Sequence, residues 1–401
     1  MRLDAATGCH LTYCTNIHPG ETWQEVRANL GRYLPAVKER LSPAGDFGVG
    51  LRLSAMAAAA LRDQGTFAEL QDFLTANGLY VFTINGFPYG PFHATPVKET
   101  AYLPDWRDEV RLNYTNLLAD LLARLLPGDQ VLEGSISTVP GGFKPEIAAP
   151  EATLRVAENL VRHAAYLVGV RERTGRTLSL ALEPEPCCQL ETIDETVDFF
   201  ENQLFSSDSR SRLATLAGLS PAEAEAALRR HLGVCLDLCH AAVEFEDPAG
   251  CLARLRGAGI RIGKMQISAG LRFAPVTERS VELLRPFADA VYLHQVVERG
   301  PEGLKRFLDL PQAFDGLAAS DGPAEWRVHF HVPIFLDDLG EFATTQGFIR
   351  EILALGRAQP ISPHLEVETY TWDVLPRRYR DVDVVTAIVR ELDWVREQIG
   401  Q

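Results

Sequence analysis

The chain has 401 residues, 46% of them hydrophobic, and a formal net charge of −15. A chain of this length and composition can bury a large core in one domain or two, whereas its negative field disfavours nucleic acid as a partner. No apolar run is long enough to span a bilayer and the N-terminus lacks an apolar signal core, so we expect a cytoplasmic protein without a membrane partner.

Short apolar segments rich in β-branched residues alternate with helical segments along the chain. The predicted strands are His10–Asn16, Phe47–Ser54, Leu79–Phe87, Gln130–Thr138, Thr177–Glu185, Gly233–Cys239, Ile260–Ser268 and His364–Trp372. The predicted helices cover about 21–41, 55–76, 105–126, 151–174, 191–203, 221–232, 343–358 and 383–398. Near-continuous apolar strands that alternate with helices indicate a parallel sheet buried on both faces. Eight of them predict an α/β fold, a single (β/α)8 TIM barrel.

A doubly wound open sheet is the rival architecture, and it is weakened because no G-x-G-x-x-G motif follows the first strand. One segment is longer than a simple TIM barrel needs, because about seventy residues separate strand seven from the helix that follows it. Within it, Ala290–Val297 and Glu325–Phe335 resemble strands. We therefore predict one domain over residues 1–401, with a β-hairpin or small sheet inserted at about 269–340 over the barrel mouth.

Acidic, amide and imidazole groups fall at the C-terminal ends of the predicted strands or within the insertion. They are Glu183, Asp237, His240, Gln266, His329, His331, Glu366 and Glu368. In a barrel these strand ends meet at one mouth, and burying so many like charges together is costly unless a cation neutralises them. Each residue alone has a structural explanation, such as an ordinary ion pair, so the prediction of a divalent metal rests on the combination. Cys235 and Cys239 flank Asp237 and are interpreted as buried thiols, with a zinc–thiolate role as the alternative.

Further candidates for substrate binding follow strands one, three and four. Asn16 and His18 follow the first strand, and Asn85 and Phe87 close the third; these side chains could hydrogen-bond to or stack on a hydroxylated ligand. Lys144 ends a glycine-containing loop and could meet an anionic group. Ordinary loop and turn roles remain the alternative for all five.

At these residues the chain resembles the xylose isomerase-like TIM barrel superfamily, which includes sugar isomerases, ketose 3-epimerases and the endonuclease IV family. The segment Gly233–His240 is similar to the endonuclease IV stretch whose Asp and His bind metal, which implies Asp237 and His240 as ligands. By the same resemblance, Glu183 matches the family's bridging glutamate on strand five and Glu368 its glutamate on strand eight, with Glu366 the weaker choice.

The chain also departs from that superfamily. His329 and His331 stand where the endonuclease family has an Asp-x-His pair, and Gln266 stands where histidine is common. The imidazoles usual after strands two and three have no clear counterpart. The resemblance thus implies one metal site, formed by Glu183, Asp237, Gln266 and Glu368. It leaves room for a second site, formed by His240, His329 and His331.

Over most of its length the chain is also similar to the bacterial family called metabolite traffic protein EboE. The segments that carry this resemblance are Leu11–Trp23, Ser137–Lys144, the stretch around His329 and His331, and Glu366–Pro376. That family belongs to a gene cluster linked to export or synthesis of small secondary metabolites. Its own reaction is poorly defined, so the resemblance implies a pathway context and no mechanism.

We predict a divalent-metal-dependent isomerase or epimerase acting on a sugar, cyclitol or related small polyol, with Zn²⁺, Mn²⁺ or Mg²⁺ as cofactor. Glu183 and Glu368 would be the catalytic base and acid on opposite sides of the metal. Two alternatives stay open: a metal-dependent phosphoesterase acting on a small phosphorylated metabolite, and a metabolite-binding protein without turnover. The sequence fixes neither the substrate nor the metal, and it is compatible with a homo-oligomer.

Overall fold

Eight parallel strands form a nearly closed barrel in the computed structural model, which describes residues 1–3, 8–93, 96–128, 132–317 and 323–400. The strands, numbered along the chain, are β1 (His10–Tyr13), β2 (Phe47–Arg52), β3 (Leu79–Asn85), β4 (Gly134–Thr138), β5 (Leu178–Leu182), β6 (Leu232–Asp237), β7 (Ile262–Ile267), β8 (Ala269–Phe273), β9 (Val296–Gly300), β10 (Gly303–Phe307), β11 (Glu325–Val332), β12 (Ala343–Thr344) and β13 (His364–Val367). The barrel order is β1-β13-β7-β6-β5-β4-β3-β2. A parallel bridge between Cys14 and Gly50 brings its two ends together, and the predicted TIM barrel is confirmed.

Helices cover the outside of the barrel between successive strands. They are α1 (Trp23–Leu41), α2 (Ala55–Ala60), α3 (Gln64–Ala76), α4 (Glu109–Leu125), α5 (Pro150–Thr174), α6 (Ile193–Phe199), α7 (Ser207–Ala217), α8 (Pro221–His231), α9 (Leu238–Val243), α10 (Pro248–Gly257), α11 (Glu278–Leu284), α12 (Leu310–Gly316), α13 (Gln346–Ala358) and α14 (Val384–Ile399). Within the described ranges, none of these helices combines the length and apolar character that a membrane crossing requires.

Local sequence explains where several helices start and stop. At the start of α1 the Thr22 hydroxyl accepts a hydrogen bond from the Glu25 backbone N–H, and the Glu25 carboxylate accepts one from the Thr22 N–H in return. α8 begins with the same reciprocal arrangement between Ser220 and Glu223. α5 ends at Gly175, whose φ of 69° suits a residue without a Cβ.

Several predicted boundaries are corrected by the structure. The first strand ends at Tyr13 and a 3-10 turn follows, and the eighth ends at Val367, so Glu368 lies just beyond the strand. The predicted start of the fourth strand at Gln130 lies outside the described residues. The predicted helix at 191–203 is α6 followed by a π-helical turn, while α7, α9, α10, α11 and α12 were not predicted. They are 6–11 residues long, too short to show a clear helical period.

The insertion is a second, five-stranded antiparallel sheet with the order β10-β9-β11-β8-β12. It spans Ala269–Thr344, slightly beyond the predicted range of about 269–340. The predicted strand at Ala290–Val297 is wrong, because regular pairing starts only at Val296. β11 pairs with β8 and β9, and its register against β8 shifts between Val328 and Val332. The two insertion histidines lie inside that irregular stretch.

The barrel interior below the mouth carries a buried ion pair. The Lys264 ammonium on β7 contacts the Glu366 carboxylate on β13, and both side chains are fully buried. A Cβ at Gly50 on the facing strand β2 would collide with the Glu366 carboxylate. A charged layer therefore lies directly under the strand ends, in a position that apolar side chains fill in most barrels of this kind.

Candidate metal centre and active site

Asp237 is held in place where β6 turns into α9. Its Oδ1 accepts hydrogen bonds from the His240 backbone N–H at 2.9 Å and from the Ser268 hydroxyl at 2.7 Å. Ser268 itself accepts from the Cys239 N–H at 3.0 Å. The other oxygen, Oδ2, is buried and has no hydrogen-bond partner among the described residues. Asp237 is thus held in a fixed orientation, and its Oδ2 remains available at the barrel mouth to bind a cation.

Two of the three clustered histidines direct one nitrogen toward Asp237 because the other nitrogen is already used. His240 Nδ1 lies 2.9 Å from the Pro184 carbonyl oxygen, and His331 Nδ1 lies 2.9 Å from the Glu368 carbonyl oxygen. A carbonyl only accepts, so each Nδ1 carries the hydrogen and each Nε2 has a free lone pair in the neutral ring. These Nε2 atoms lie 3.9 Å from Asp237 Oδ1 and Oδ2 respectively.

The third histidine, His329, is fixed by the side chain of Gln295. The Gln295 amide nitrogen lies 3.2 Å from the Pro186 carbonyl, which leaves its oxygen to accept from His329 Nδ1 at 2.8 Å. His329 Nε2 therefore also carries a lone pair, and it faces His240 Nε2 at 3.1 Å. Two lone pairs at that distance repel unless a cation lies between them.

The unpaired acceptor atoms converge. Among the described residues, the buried atoms without a hydrogen-bond partner include Glu183 Oε2, Asp237 Oδ2, Gln266 Oε1 and His331 Nε2. Ligand atoms of Glu183, Asp237 and His240 lie within 4.8 Å of one another, as do those of the three histidines and those of Asp237, Cys239 and His331. Buried acceptors without donors are rare in folded proteins, and a positively charged occupant would satisfy this group.

The pKa shifts of these side chains also favour a bound cation. Burial, followed by repulsion from Glu368 and Asp237, raises the pKa of Glu183 well above its ordinary value. Burial and the Asp237 charge raise the pKa of Glu368 to about 8, although Lys264 opposes the shift. Burial lowers the pKa of His331 to about 4 and that of His329 well below its ordinary value. The carboxylates resist ionising and the imidazoles stay neutral, and a divalent cation would favour the ligating form of both.

The donor set fits such a cation. Neutral imidazoles and carboxylates are the ligands that Zn²⁺ and Mn²⁺ accept. Two imidazole nitrogens on one tetrahedral zinc would stand roughly 3.3 Å apart, given Zn–N bonds of about 2.0–2.1 Å. The 3.1 Å between His240 and His329 is close to that value. Asp237, His240, His329, His331 and Glu183 could therefore hold a divalent metal with little rearrangement.

Glu368 has a different environment from the other acids. Its Oε1 accepts from the side-chain amides of Asn16 at 2.8 Å, Asn85 at 2.9 Å and Gln266 at 3.2 Å. Three donors on one oxygen orient the carboxylate, and the Asn16 hydrogen bond partly opposes the burial that raises the pKa of Glu368. Because the side-chain nitrogen of Gln266 donates to Glu368, the Gln266 Oε1 atom is the unpaired acceptor described above.

A small pocket of about 60 Å³ opens above these groups. Its floor is formed by Glu183, His240, His329 and Glu368, and Asn16 and Asn85 lie beside them. Its walls are aromatic: Phe87, Phe92, Tyr102, Tyr292 and Tyr370. Phe92, Tyr292 and Tyr370 pack against one another with ring centroids 5.2 Å apart and connect the loop after β3 with the insertion.

Three predicted residues lie away from this pocket. His18 stacks on Tyr33 with ring centroids 3.9 Å apart, and it is not among the residues that line the cavity. The Lys144 ammonium forms ion pairs with Glu191, just before α6, and with Glu195 in its first turn. The Glu366 carboxylate pairs with the buried Lys264 ammonium inside the barrel.

Sequence reasoning missed several residues of this site. Glu185, Tyr102 and Tyr370 line the pocket, while Gln295 and Ser268 orient predicted ligands. Glu185 could have been found from the Glu-Pro-Glu-Pro stretch, which places it two residues beyond Glu183. The other four lie in loops or in irregular parts of the insertion, where no periodic pattern marks an inward-facing side chain.

No protein-family model matches the chain, and no curated protein matches it by sequence. In fold it is similar to a xylose isomerase-like TIM barrel protein from Mycobacterium smegmatis in complex with magnesium, with a TM-score of 0.50, 11% identity, and 99% of this chain and 98% of that chain covered. A D-tagatose 3-epimerase-like protein gives a TM-score of 0.49 at 10% identity, with 97% of each chain covered. The IOLI protein with a binding zinc atom gives 0.45 at 10% identity, with 98% of each covered. At these identities the comparison establishes the TIM barrel fold alone.

Proposed function

We propose that the protein is a divalent-metal-dependent isomerase or epimerase acting on a sugar, cyclitol or related small polyol. The observation that carries this proposal is the convergence of unpaired buried acceptors, Glu183 Oε2, Asp237 Oδ2, Gln266 Oε1 and His331 Nε2, beneath an aromatic pocket. A divalent cation held there would polarise a carbonyl or hydroxyl oxygen of the substrate.

The chain itself offers two groups for proton transfer. Glu183 follows β5 and Glu368 follows β13, and β6 and β7 lie between those strands in the barrel, so the two carboxyl groups approach the pocket from different sides. Glu183 Oε2 has no hydrogen-bond donor among the described residues, and Glu183 could accept a proton from the substrate once a divalent cation favours its ionised form. Glu368 is oriented by its three amide donors and can return a proton from the other side.

The test is solvent deuterium incorporation into a panel of unphosphorylated sugars and cyclitols with Mn²⁺, Mg²⁺ or Zn²⁺ present. We expect exchange at the carbon bearing a carbonyl or adjacent to it, and a loss of about 100-fold or more in Glu183→Gln and Glu368→Gln. Glu391→Gln is the matched control, because Glu391 is an equally buried glutamate on α14, outside the pocket. A panel that shows no exchange with any metal would contradict the proposal.

Metal-assisted phosphoester hydrolysis is the second candidate, and the cluster of His240, His329 and His331 favours it because three imidazoles could hold an additional ion. Among the described lining residues, however, the cationic side chain is Lys98, whose ammonium is paired with Asp309 at 2.6 Å. A phosphate group would find little positive charge beyond the metal. Two or more tightly held zinc ions per chain, with phosphatase activity on small phosphomonoesters, would favour hydrolysis over isomerisation.

We further propose membership of the EboE family, supported by the segments Leu11–Trp23 and Glu366–Pro376. Both segments contribute to the pocket, through Asn16 in the first and Glu368 and Tyr370 in the second. A crystal structure of a member of that family would test this, since it should show the same side chains around its barrel mouth.

A further inference from the structure

The pocket has few hydrogen-bond donors left to offer a ligand. The amide nitrogens of Asn16 and Asn85 both donate to Glu368. The N–H groups of His240 and His329 are used by Pro184 and Gln295. The cationic side chain among the described lining residues, Lys98, is paired with Asp309 at 2.6 Å. Apart from it, these amide and imidazole side chains present mainly acceptors to a ligand.

The hydroxyl groups of the aromatic wall are directed to protein acceptors as well. Tyr102 donates to Glu185 Oε1 at 2.9 Å. His93 Nε2 lies 2.6 Å from the Asn16 carbonyl, so His93 Nδ1 is an acceptor and receives the Tyr292 hydroxyl at 3.0 Å. The Tyr370 hydroxyl is directed at the lone pair of His329 Nε2, at 3.5 Å.

One unsatisfied acceptor in the same cavity is not among the proposed metal ligands. Among the described residues, Asn16 Oδ1 is buried without a hydrogen-bond partner. Asn16 is 2% exposed and lines the pocket. A hydroxyl group brings two lone pairs along with its one hydrogen, whereas an ammonium group brings three hydrogens and no lone pair. An environment of acceptors therefore selects the ammonium group.

Glu185 supplies the charge. It is 7% exposed, lines the pocket and accepts from the Tyr102 hydroxyl, a neutral donor. Among the described residues no lysine or arginine forms an ion pair with it, and the basic side chain that approaches it is His329, whose Nδ1 lies 3.7 Å away and contacts Gln295 Oε1 at 2.8 Å. The rings of Phe87 and Tyr102, with centroids 6.1 Å apart, line the same pocket. Aromatic rings attract cations, so the Glu185 carboxylate and these two rings both favour a cationic group.

We propose that the substrate of this site carries a protonated primary amine and that Glu185 binds it, with Asn16 Oδ1 as a further acceptor. The inference rests on the proposed function, because it names the substrate class of that same pocket: an amine-bearing polyol rather than a neutral sugar or a sugar phosphate. Glu185 is then a binding residue, distinct from Glu183 and Glu368, which transfer protons.

The experiment compares scyllo-inositol with its analogue in which one hydroxyl is replaced by an amine. All ring positions of scyllo-inositol are equivalent, so the pair differs in the ammonium group alone. Dissociation constants are measured by calorimetry at pH 7 with the purified wild-type protein, before and after addition of Mn²⁺. We expect the amine to bind at least about tenfold more tightly than the alcohol, since a buried carboxylate gains an ionic partner. The N-acetylated amine, which is neutral, should lose that advantage.

Variants assign the preference to Glu185. Glu185→Gln should reduce the ratio of the two dissociation constants about tenfold, Glu185→Asp should retain part of it, and the control Glu391→Gln should leave it unchanged. Equal binding of amine and alcohol by the wild type, binding of neither, or a preference that persists in folded Glu185→Gln overturns the inference. If Glu185→Gln fails to fold, the wild-type comparison of amine, alcohol and N-acetyl amine decides alone.

Failure of the proposed function would look different. A protein that retains no divalent metal and exchanges no deuterium, yet still prefers the amine, would refute the metal-dependent isomerase and leave the amine subsite standing. A metal-loaded protein that shows exchange but no amine preference would refute the subsite only.

Discussion

At the scale of single residues, the candidate site depends on side chains that orient the ligands rather than on the ligands alone. Ser268 donates to the same oxygen of Asp237 that caps α9, and so leaves the other oxygen facing the cluster. Gln295 likewise orients His329, because its side-chain oxygen accepts a hydrogen bond from His329 Nδ1. Partners of this kind set ligand direction and tautomer, and their loss weakens metal binding without removing any ligand.

Removing the Ser268 hydroxyl tests this orientation. We expect Ser268→Ala to weaken Mn²⁺ or Zn²⁺ binding by about 10- to 100-fold, because Asp237 loses one of its two fixed contacts. Ser179→Ala is the control, since Ser179 is a buried serine whose hydroxyl contacts the Gly134 carbonyl at the opposite end of β5. Competitive titration with a chelating dye measures the metal affinity of both variants. Equal affinities in the two variants would show that Ser268 does not position Asp237.

A second prediction concerns Glu391, a fully buried glutamate on α14 that accepts from the Thr369 hydroxyl and the Ile334 N–H. Burial raises its pKa from 4.5 to about 7. Below pH 4.5 the folded and unfolded states both hold the proton. Between pH 4.5 and about 7 the unfolded chain releases it first, so the free energy of unfolding falls as pH rises and becomes constant above that range.

Glu391→Gln should abolish this contribution. Relative to the wild type, the variant should gain roughly 2.5 kcal/mol in free energy of unfolding between pH 5 and pH 8, the part of this pKa difference that falls within that range. Urea unfolding at the two pH values measures the gain. The exposed Glu397→Gln on the same helix is the control and should follow the wild type. A parallel pH dependence in wild type and Glu391→Gln would contradict the assignment.

At the scale of elements, two features bring the insertion and the barrel into one site. The register of β11 shifts against β8 between Val328 and Val332, and a strand irregularity of this kind redirects side chains. His329 and His331 both reach the barrel mouth from that stretch. On the barrel side, β1 and β2 meet at the bridge of Cys14 with Gly50, where the Glu366 carboxylate occupies the space a side chain would need.

Gly50→Ala should therefore be strongly destabilising. The added methyl group would collide with the Glu366 carboxylate and would lie 2.8 Å from the Tyr13 carbonyl oxygen. We expect a loss of about 1–3 kcal/mol from overpacking, and more if the Lys264–Glu366 pair is broken. Gly347→Ala in α13 is the control, because nothing lies within 4 Å of its added carbon; it should be neutral or stabilising. Thermal and urea unfolding measure both, and equal effects would be inconsistent with this packing.

At the scale of the whole molecule, the site joins parts of the chain that are far apart in sequence. Asp237 ends β6 and His331 lies in the inserted sheet, with ligand atoms within 4.8 Å of each other, so a metal held by both would cross-link the barrel to its insertion. A ligand bound only by the folded state stabilises that state in proportion to the logarithm of its concentration over its dissociation constant. Metal removal should consequently affect the unfolding of the entire chain.

We expect chelation to lower the free energy of unfolding by about 4 kcal/mol when free metal had been a thousandfold above its dissociation constant. Calorimetric unfolding with excess Mn²⁺ or Zn²⁺, before and after addition of EDTA, measures the difference. The difference should shrink in Glu183→Gln and persist in Glu391→Gln. A wild-type protein that unfolds identically with and without metal would contradict the proposed centre.

The sequence by itself determined the barrel, because its strands are continuous apolar runs and its helices carry their own caps, such as Thr22 with Glu25. It also indicated which polar residues close those strands, since the end of a strand can be read locally, as at Asp237 and Glu183. Boundaries were less predictable where the chain turns irregularly, as after Tyr13 and before Val296.

Only the tertiary structure decided what each polar group does. Asn16 and Asn85 donate to Glu368, Lys144 pairs with two glutamates at the start of α6, and Glu185 lines the pocket beside Tyr102. These relations depend on loops and on an inserted sheet whose side-chain directions follow no sequence period. The physical reason is that periodicity fixes which face of an element is buried, whereas the partners of a buried polar group are set by segments that are remote along the chain and come together only on folding.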